Sequence, residues 1–381
     1  MTLRLSVFIL FFVLLSACGS KDNVAPPADL KDIQADIHAK RVWKEDTGSG
    51  TGKYFLRLQP FLFNQVAYAV DAKGQISAFN SDTGRQLWSR DTGLLFSGGV
   101  NGGADIIVAG SIEGELAGFS PENGEELWRS QLSSEVLAVS QSVSGKLVAR
   151  TNDGYLYGIN ALDGSVAWKY NYKVPALSLR SASVPLIVQG RVIAGLDNGH
   201  LVALTLADGK LIWDKTIASG RGRTELDRMV DIDGSLAQQE GIVYVASYQG
   251  RIAAVNLANG RLVWAHDASS VNGLTVNSQA VYYTDTDSKV WALDKKNGAS
   301  LWKQDALLHR SVSAPAVLDN QVVVADYDGY LHWISAEDGH FTGRNRMGGS
   351  AVLAAPTIYQ NRLYVLNESG DLSAWQIRPS K

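Results

Sequence analysis

The stretch Gly250 to Trp264, GRIAAVNLANGRLVW, decides how the chain is read. RIAAV has the composition of a strand and RLVW that of an antiparallel return strand. Between them Asn259-Gly260 is expected to form a tight turn, because Asn and Gly tolerate the positive φ angles that a hairpin connection needs. Along the first strand Ile252 and Ala254 point to one face, Ala253 and Val255 to the other. Apolar residues on both faces predict that both faces are covered, as in a strand stacked between neighbouring sheets.

The unit recurs from end to end. Its first glycine falls at Gly74, Gly114, Gly154, Gly199, Gly250, Gly329 and Gly370, with Ser288 in its place once, so there are eight copies. Its closing indole falls at Trp88, Trp128, Trp168, Trp213, Trp264 and Trp302; Gly343 stands where the seventh belongs, and no indole stands at the same spacing after Gly370. Near the other end Val42-Trp43 has no hairpin before it and lies one period ahead of Trp88. A period of roughly 40 to 50 residues made of short strands and turns predicts an all-β, eight-bladed β-propeller with four-stranded blades. The N-terminal strand is expected to complete the last blade, which hides the edges that an open ring would expose. Regular recurrence of the indole predicts packing between blades, since a ring needs one per blade and a ligand site only one or two.

Before the repeats, Met1 to Ala17 carries Arg4 and then an unbroken apolar run from Leu5 to Leu15. The run is too short to span a bilayer and reads as an export signal. Its end, Leu15-Ser16-Ala17-Cys18, resembles the lipobox of bacterial lipoproteins, which implies diacylglycerol on the Cys18 thiol, cleavage before Cys18 and acylation, as by palmitate, of the new amine. Such chains hold a protein to a membrane almost permanently. Gly19, rather than Asp, after the cysteine implies sorting to the periplasmic leaflet of the outer membrane. The expected organisation is a lipoprotein signal over 1–17, a lipidated N-terminus and flexible tether over 18–38, with a short helical turn around Leu30 to Ala39, and the propeller over 39–381. Removing Met1 to Ala17 takes away one arginine and no acid, so the formal charge goes from −3 to −4, and nucleic acid is not an expected partner.

The signature A-x-[ND]-x-x-[DNT]-G-x-x-x-W is intact at Ala78 to Trp88, Ala254 to Trp264 and Ala292 to Trp302. It resembles the quinoprotein repeat family, whose members include dehydrogenases that use pyrroloquinoline quinone, so an enzyme of that kind is one alternative. Those enzymes need calcium ligands, a catalytic aspartate and a stacking platform often made of adjacent cysteines. This chain has one cysteine. Asp231-Ile232-Asp233-Gly234 and Asp326-Tyr327-Asp328-Gly329 look like fragments of a calcium loop but lack its closing Glu, and are expected to be turn acids. His38, His200, His266, His309, His332 and His340 are scattered without zinc spacing, and no phosphate loop or nucleophile elbow occurs. The expectation is a protein that is not an enzyme and has no catalytic residues, cofactor or metal.

Interruptions of the repeat are informative. From indole to next repeat glycine the interval is 26 residues at Trp88 and Trp128, then 31 at Trp168 and 37 at Trp213. Both long intervals contain the connection into the next blade, and all such connections emerge on one face, a usual place for function on a repeat scaffold. The first holds Lys173-Val174-Pro175-Ala176-Leu177-Ser178-Leu179-Arg180; the second, Arg221 to Asp233, mixes Arg221, Arg223, Glu225, Asp227, Arg228, Asp231 and Asp233. An apolar pair with an arginine beside an acidic strip resembles a protein-docking patch, although leucines folded under their own loop and a solvated charged loop are the plain alternatives.

With PALSLRS around Leu177, TELDRMVDID around Asp231, LLHRSVSAP and GYLHWISAEDG, the chain resembles the BamB family, the propeller lipoproteins of the outer-membrane β-barrel assembly (BAM) complex. The resemblance implies a scaffold that binds the POTRA region of BamA, accompanies the other BAM lipoproteins and assists insertion of nascent β-barrel proteins. It also implies that Leu177, Leu179, Arg180, Asp231 and Asp233 contact BamA. The two leucines are expected to anchor in a groove and Arg180 to pair with a partner carboxylate or carbonyl. Asp231 and Asp233 are expected either to meet basic groups or to hold Arg180. A periplasmic scaffold for unfolded substrate strands is a second alternative.

Overall fold

The computed structural model describes residues 25–52, 54, 56–180 and 183–378. The expected signal segment 1–17 and Cys18 lie outside them.

Local chemistry builds each hairpin. In the unit that opens the sequence reading, Gly250–Asn256 pairs antiparallel with Leu262–Ala268, and Ile252, Ala253, Ala254 and Val255 are all buried. The turn differs from the expected two-residue form. Only Gly260 takes a positive φ, +69°, and the connection is closed by Gly260 N donating to Asn256 O at 2.9 Å and Asn256 N to Arg261 O at 2.8 Å. The Asn256 carboxamide oxygen accepts from the Ala258 and Asn259 amides at 3.0 and 3.3 Å. That side chain shapes the turn, so Asn259 need not adopt a strained backbone.

The glycine is required for a second reason. A Cβ on Gly260 would lie within 3.0 Å of the Trp213 ring from the preceding blade, and Gly84, Gly124, Gly164, Gly209, Gly298 and Gly339 meet Trp43, Trp88, Trp128, Trp168, Trp264 and Trp302 in the same way. The indoles also donate their N–H groups across the blade boundary. Trp43 bonds Ser81 O at 2.8 Å, Trp128 bonds Ala161 O at 2.9 Å and Trp213 bonds Leu257 O at 3.0 Å. The signature therefore encodes an interlock: the turn of one blade is the landing surface for the indole of the blade before. The tryptophans pack between blades, as expected.

Eight antiparallel sheets of four strands result, and first strands of successive sheets touch around the centre. The last sheet contains Thr357–Tyr359, Arg362–Leu366 and Asp371–Arg378, with His38–Asp46 as its fourth strand. The closing register runs from His38 opposite Arg378 to Asp46 opposite Asp371, and Trp43 on this strand docks on Gly84 of the first sheet, sealing the ring. The eight-bladed fold and its closure by the N-terminal strand are thus as expected. Gly343 also receives a reason. In the last blade the third and fourth strands, Asp371–Arg378 and His38–Asp46, are not joined by a hairpin, so no turn glycine exists for an indole to land on. Ile37 lies against Gly343 instead.

The segment before the closing strand departs from the expected tether. No helical turn forms between Leu30 and Ala39; the backbone carries no helix and lies on the seventh blade. Ala28 N donates to Leu308 O at 2.9 Å, and Asp36 N and Ile37 N both donate to Thr342 O, at 2.8 and 3.1 Å. Arg310 and Arg344 donate to the carbonyls of Ala28 and Lys31 at 3.0 and 2.8 Å, while Leu30 packs on the apolar cluster around Trp302 and Leu307. With donors and acceptors of the propeller satisfying its backbone, the segment gains nothing by turning into a helix.

Candidate functional site

Both long connections emerge on the face where the chain enters the innermost strand of each blade. There Arg57, Gly98, Glu135, Asp233, Val271 and Leu353, each from a different blade, contribute to the lining of a cavity of about 600 Å³ at the mouth of the central channel.

The first insertion links Val166–Asn171 to Leu186–Val188. Leu177 is 43% exposed; Leu179 is half-buried at the cavity rim. Leu177 is therefore not folded beneath its own loop. Arg180 makes a two-pronged ion pair with Glu135 of the third blade, Nη2 to Oε1 at 2.5 Å and Nε to Oε2 at 3.1 Å. That hydrogen bonding holds the Arg180 guanidinium above its ordinary pKa. Glu135 carries no signal in the sequence, because it lies 45 residues before Arg180 and only the packing of adjacent blades brings the two together.

The second insertion splits in two. Its first part is exposed and internally paired around the 3₁₀ turn Leu226–Arg228: the Thr224 and Arg223 amides donate to Asp227 at 3.1 and 3.3 Å, and Arg228 pairs with Glu225. Leu226, which no sequence pattern sets apart from these charges, is 65% exposed. The second part turns inward. Asp231 is fully buried and Asp233 is 3% exposed, so the turn-acid expectation fails for this pair, which belongs to the packed floor of the face. Asp326 is equally buried but does close its turn: one oxygen accepts the amides of Asp328 and Tyr330 at 3.1 and 2.9 Å, while the other accepts from Arg310 Nε at 2.8 Å and lies 3.0 Å from His332 Nε2.

Asp231 Oδ2 accepts the Leu179 amide at 2.6 Å. This single bond ties the two insertions together. The pair of aspartates does not hold Arg180; Glu135 does, and Asp231 positions the backbone of Leu179. Burial pushes the Asp231 carboxyl up to about 6, with the Leu179 amide opposing the shift. Burial, reinforced by Asp231, pushes Asp233 well above the usual carboxylate range. Neither oxygen of Asp233 has a hydrogen-bond partner. Behind them the fully buried Arg150 bonds Gly195 O at 2.7 Å and the Tyr172 hydroxyl at 3.1 Å, and pairs with Asp197. The sequence carries no local sign of this network, since its members come from different blades.

Among the described residues no group of three or more His, Asp or Glu stands close enough to share a metal ion.

Comparison with known proteins agrees with this architecture. A family profile described as outer membrane protein assembly factor BamB matches residues 72–304. The outer membrane protein assembly factor BamB of Pseudomonas aeruginosa is 35% identical over 98% of each chain. That of Alkalilimnicola ehrlichii is 37% identical over 98% of this chain and 97% of the relative. The crystal structure of BamB from Moraxella catarrhalis superposes with a TM-score of 0.82 at 26% identity, covering 89% of this chain and all of that one. A quinohemoprotein alcohol dehydrogenase from Comamonas testosteroni, at 14% identity and TM-score 0.69 over 88% of this chain and 76% of that one, shares the fold. The interlocked eight-blade ring and the full-length similarity lead to one conclusion: this chain belongs to the BamB family of outer membrane protein assembly factors.

Proposed function

We propose that the protein is a non-enzymatic scaffold lipoprotein of the outer-membrane assembly machine, anchored through Cys18, facing the periplasm and docking on the POTRA region of BamA with the sector formed by its two long insertions. The names of its relatives, all assembly factors, support the non-catalytic reading. The observation that carries the docking site is the bond from Leu179 N to Asp231. A buried carboxylate fixes the loop backbone, so Leu177 is displayed without having to pack against its own molecule. A loop ordered in advance lowers the entropic cost of binding.

In this reading Leu177 is the apolar anchor, Leu179 supports it from the rim, and Arg180 offers the three N–H groups that Glu135 does not take. Asp231 acts from beneath, through the Leu179 amide, and Asp233 faces the cavity beside it. The other BAM lipoproteins share the complex, and nascent β-barrel proteins are its cargo. A pull-down with the BamA POTRA region tests the site. Leu177→Ala with Arg180→Ala is expected to weaken capture by about 30-fold or more, as for paired hot spots, in a protein that still folds, with a modestly lower melting temperature because Glu135 loses its partner. Full capture by that folded variant removes the site.

A further inference from the structure

We infer that the mouth of the central channel is a binding site for an arginine side chain, with Asp233 as its counter-ion. The polypeptide that would carry the arginine rests on the docking reading above; the guanidinium site does not.

Asp233 lines the cavity, is 3% exposed and has no donor on either oxygen. An unpaired buried carboxylate is costly and is normally matched by a cation or a hydrogen bond. The local charges leave that match incomplete. Asp197, Asp231 and Asp233 stand against Arg150 and Arg57, Arg150 is committed to Asp197, and Arg180 is neutralised by Glu135. One positive charge is lacking. Burial and Asp231 raise the Asp233 carboxyl, so an arriving guanidinium takes the place of a proton.

The cavity already accepts a guanidinium. Arg57, from the first blade, reaches across the mouth to the Val271 carbonyl of the sixth at 2.5 Å, in the field of Asp233, and still leaves Asp233 without a donor. About 600 Å³ of space is within the range of small-ligand pockets, roughly 300 to 1,000 Å³. Arginine fits better than lysine, because its planar, weakly hydrated head tolerates walls such as Leu56, Leu137 and Val312 better than a compact ammonium does.

The test titrates the purified protein with acetyl-arginine methylamide and with its uncharged isostere acetyl-citrulline methylamide, followed by saturation-transfer NMR. The arginine probe is expected to bind with a dissociation constant on the order of 1 mM, the citrulline probe at least about tenfold more weakly. Asp233→Asn, isosteric and relieved of a buried charge, is expected to fold and to bind both probes alike. Equal binding of the two probes by the native protein, unchanged arginine binding by Asp233→Asn, or no saturable arginine binding overturns the proposal. Capture of the BamA POTRA region is measured alongside: capture without arginine binding overturns this site and leaves the docking reading standing, and arginine binding without capture does the reverse.

Discussion

Trp213 and Gly260 belong to different blades yet form one packing unit. The indole buries its ring on the glycine and its N–H on the carbonyl of Leu257. Trp213→Ala is expected to cost about 3–5 kcal/mol by cavity formation. Gly260→Ala places a Cβ against the ring at a φ of +69° and is expected to cost more than about 1 kcal/mol. In a double-mutant cycle by urea unfolding the two are expected to be non-additive by about 0.5–3 kcal/mol, because removing the ring removes the clash. Asp231 supplies a second test at this scale. Its folded carboxyl is raised by burial to about 6 from an ordinary value near 3.9, so the folded state holds its proton longer than the unfolded chain. Its contribution is full below about pH 4 and is lost as the pH rises through about 6, a change on the order of 3 kcal/mol. Asp231→Asn keeps an oxygen for the Leu179 amide and removes that slope. Melting curves between pH 4 and 7 that fall equally in native and variant protein would refute the assignment.

At the scale of the element, the closing strand and the segment before it do different work. His38–Asp46 fills the fourth place in the last blade and carries Trp43 onto the first. Deleting residues 39 to 48 is expected to unfold or aggregate the protein, since it opens the ring and exposes two apolar sheet faces; unchanged thermal melts would contradict the closure. The strap from Ala28 to Ile37 adds a handful of hydrogen bonds and Leu30 to the seventh blade. Deleting residues 25 to 36 is expected to lower stability by a few kcal/mol, at about 1 kcal/mol per hydrogen bond, and to leave the ring closed. Scanning calorimetry of the two deletions separates a structural strand from a docked strap.

For the whole molecule, ring closure turns eight weakly distinctive loops into one face with a common cavity. Glu135, Leu179, Arg180 and Asp233 line that mouth together, although they enter it from three different blades. The enlarged sector is held in place because a buried carboxylate joins its two loops. A protein carrying Leu177→Ala and Arg180→Ala is therefore expected to lose partner capture while still unfolding in one transition, at a temperature lowered only by the loss of the Arg180–Glu135 pair, since neither side chain belongs to the core that closes the ring.

The periodic glycine, the indole and the lone Val42-Trp43 are sufficient to read the blade count, the closure and the sector where the repeat swells, because each is a local pattern repeated in register. The interlock behind that pattern is not legible there, since indole and glycine meet only across a blade boundary. The candidate site divides in the same way. Leu177 and Arg180 stand out by spacing and composition, but the Glu135 partner of Arg180, the burial of Asp231 and Asp233 and the strap over the seventh blade are decided by tertiary structure. Whether a carboxylate is a solvated turn acid or a buried support depends on what closes over it, and no stretch of sequence contains its own neighbours in space.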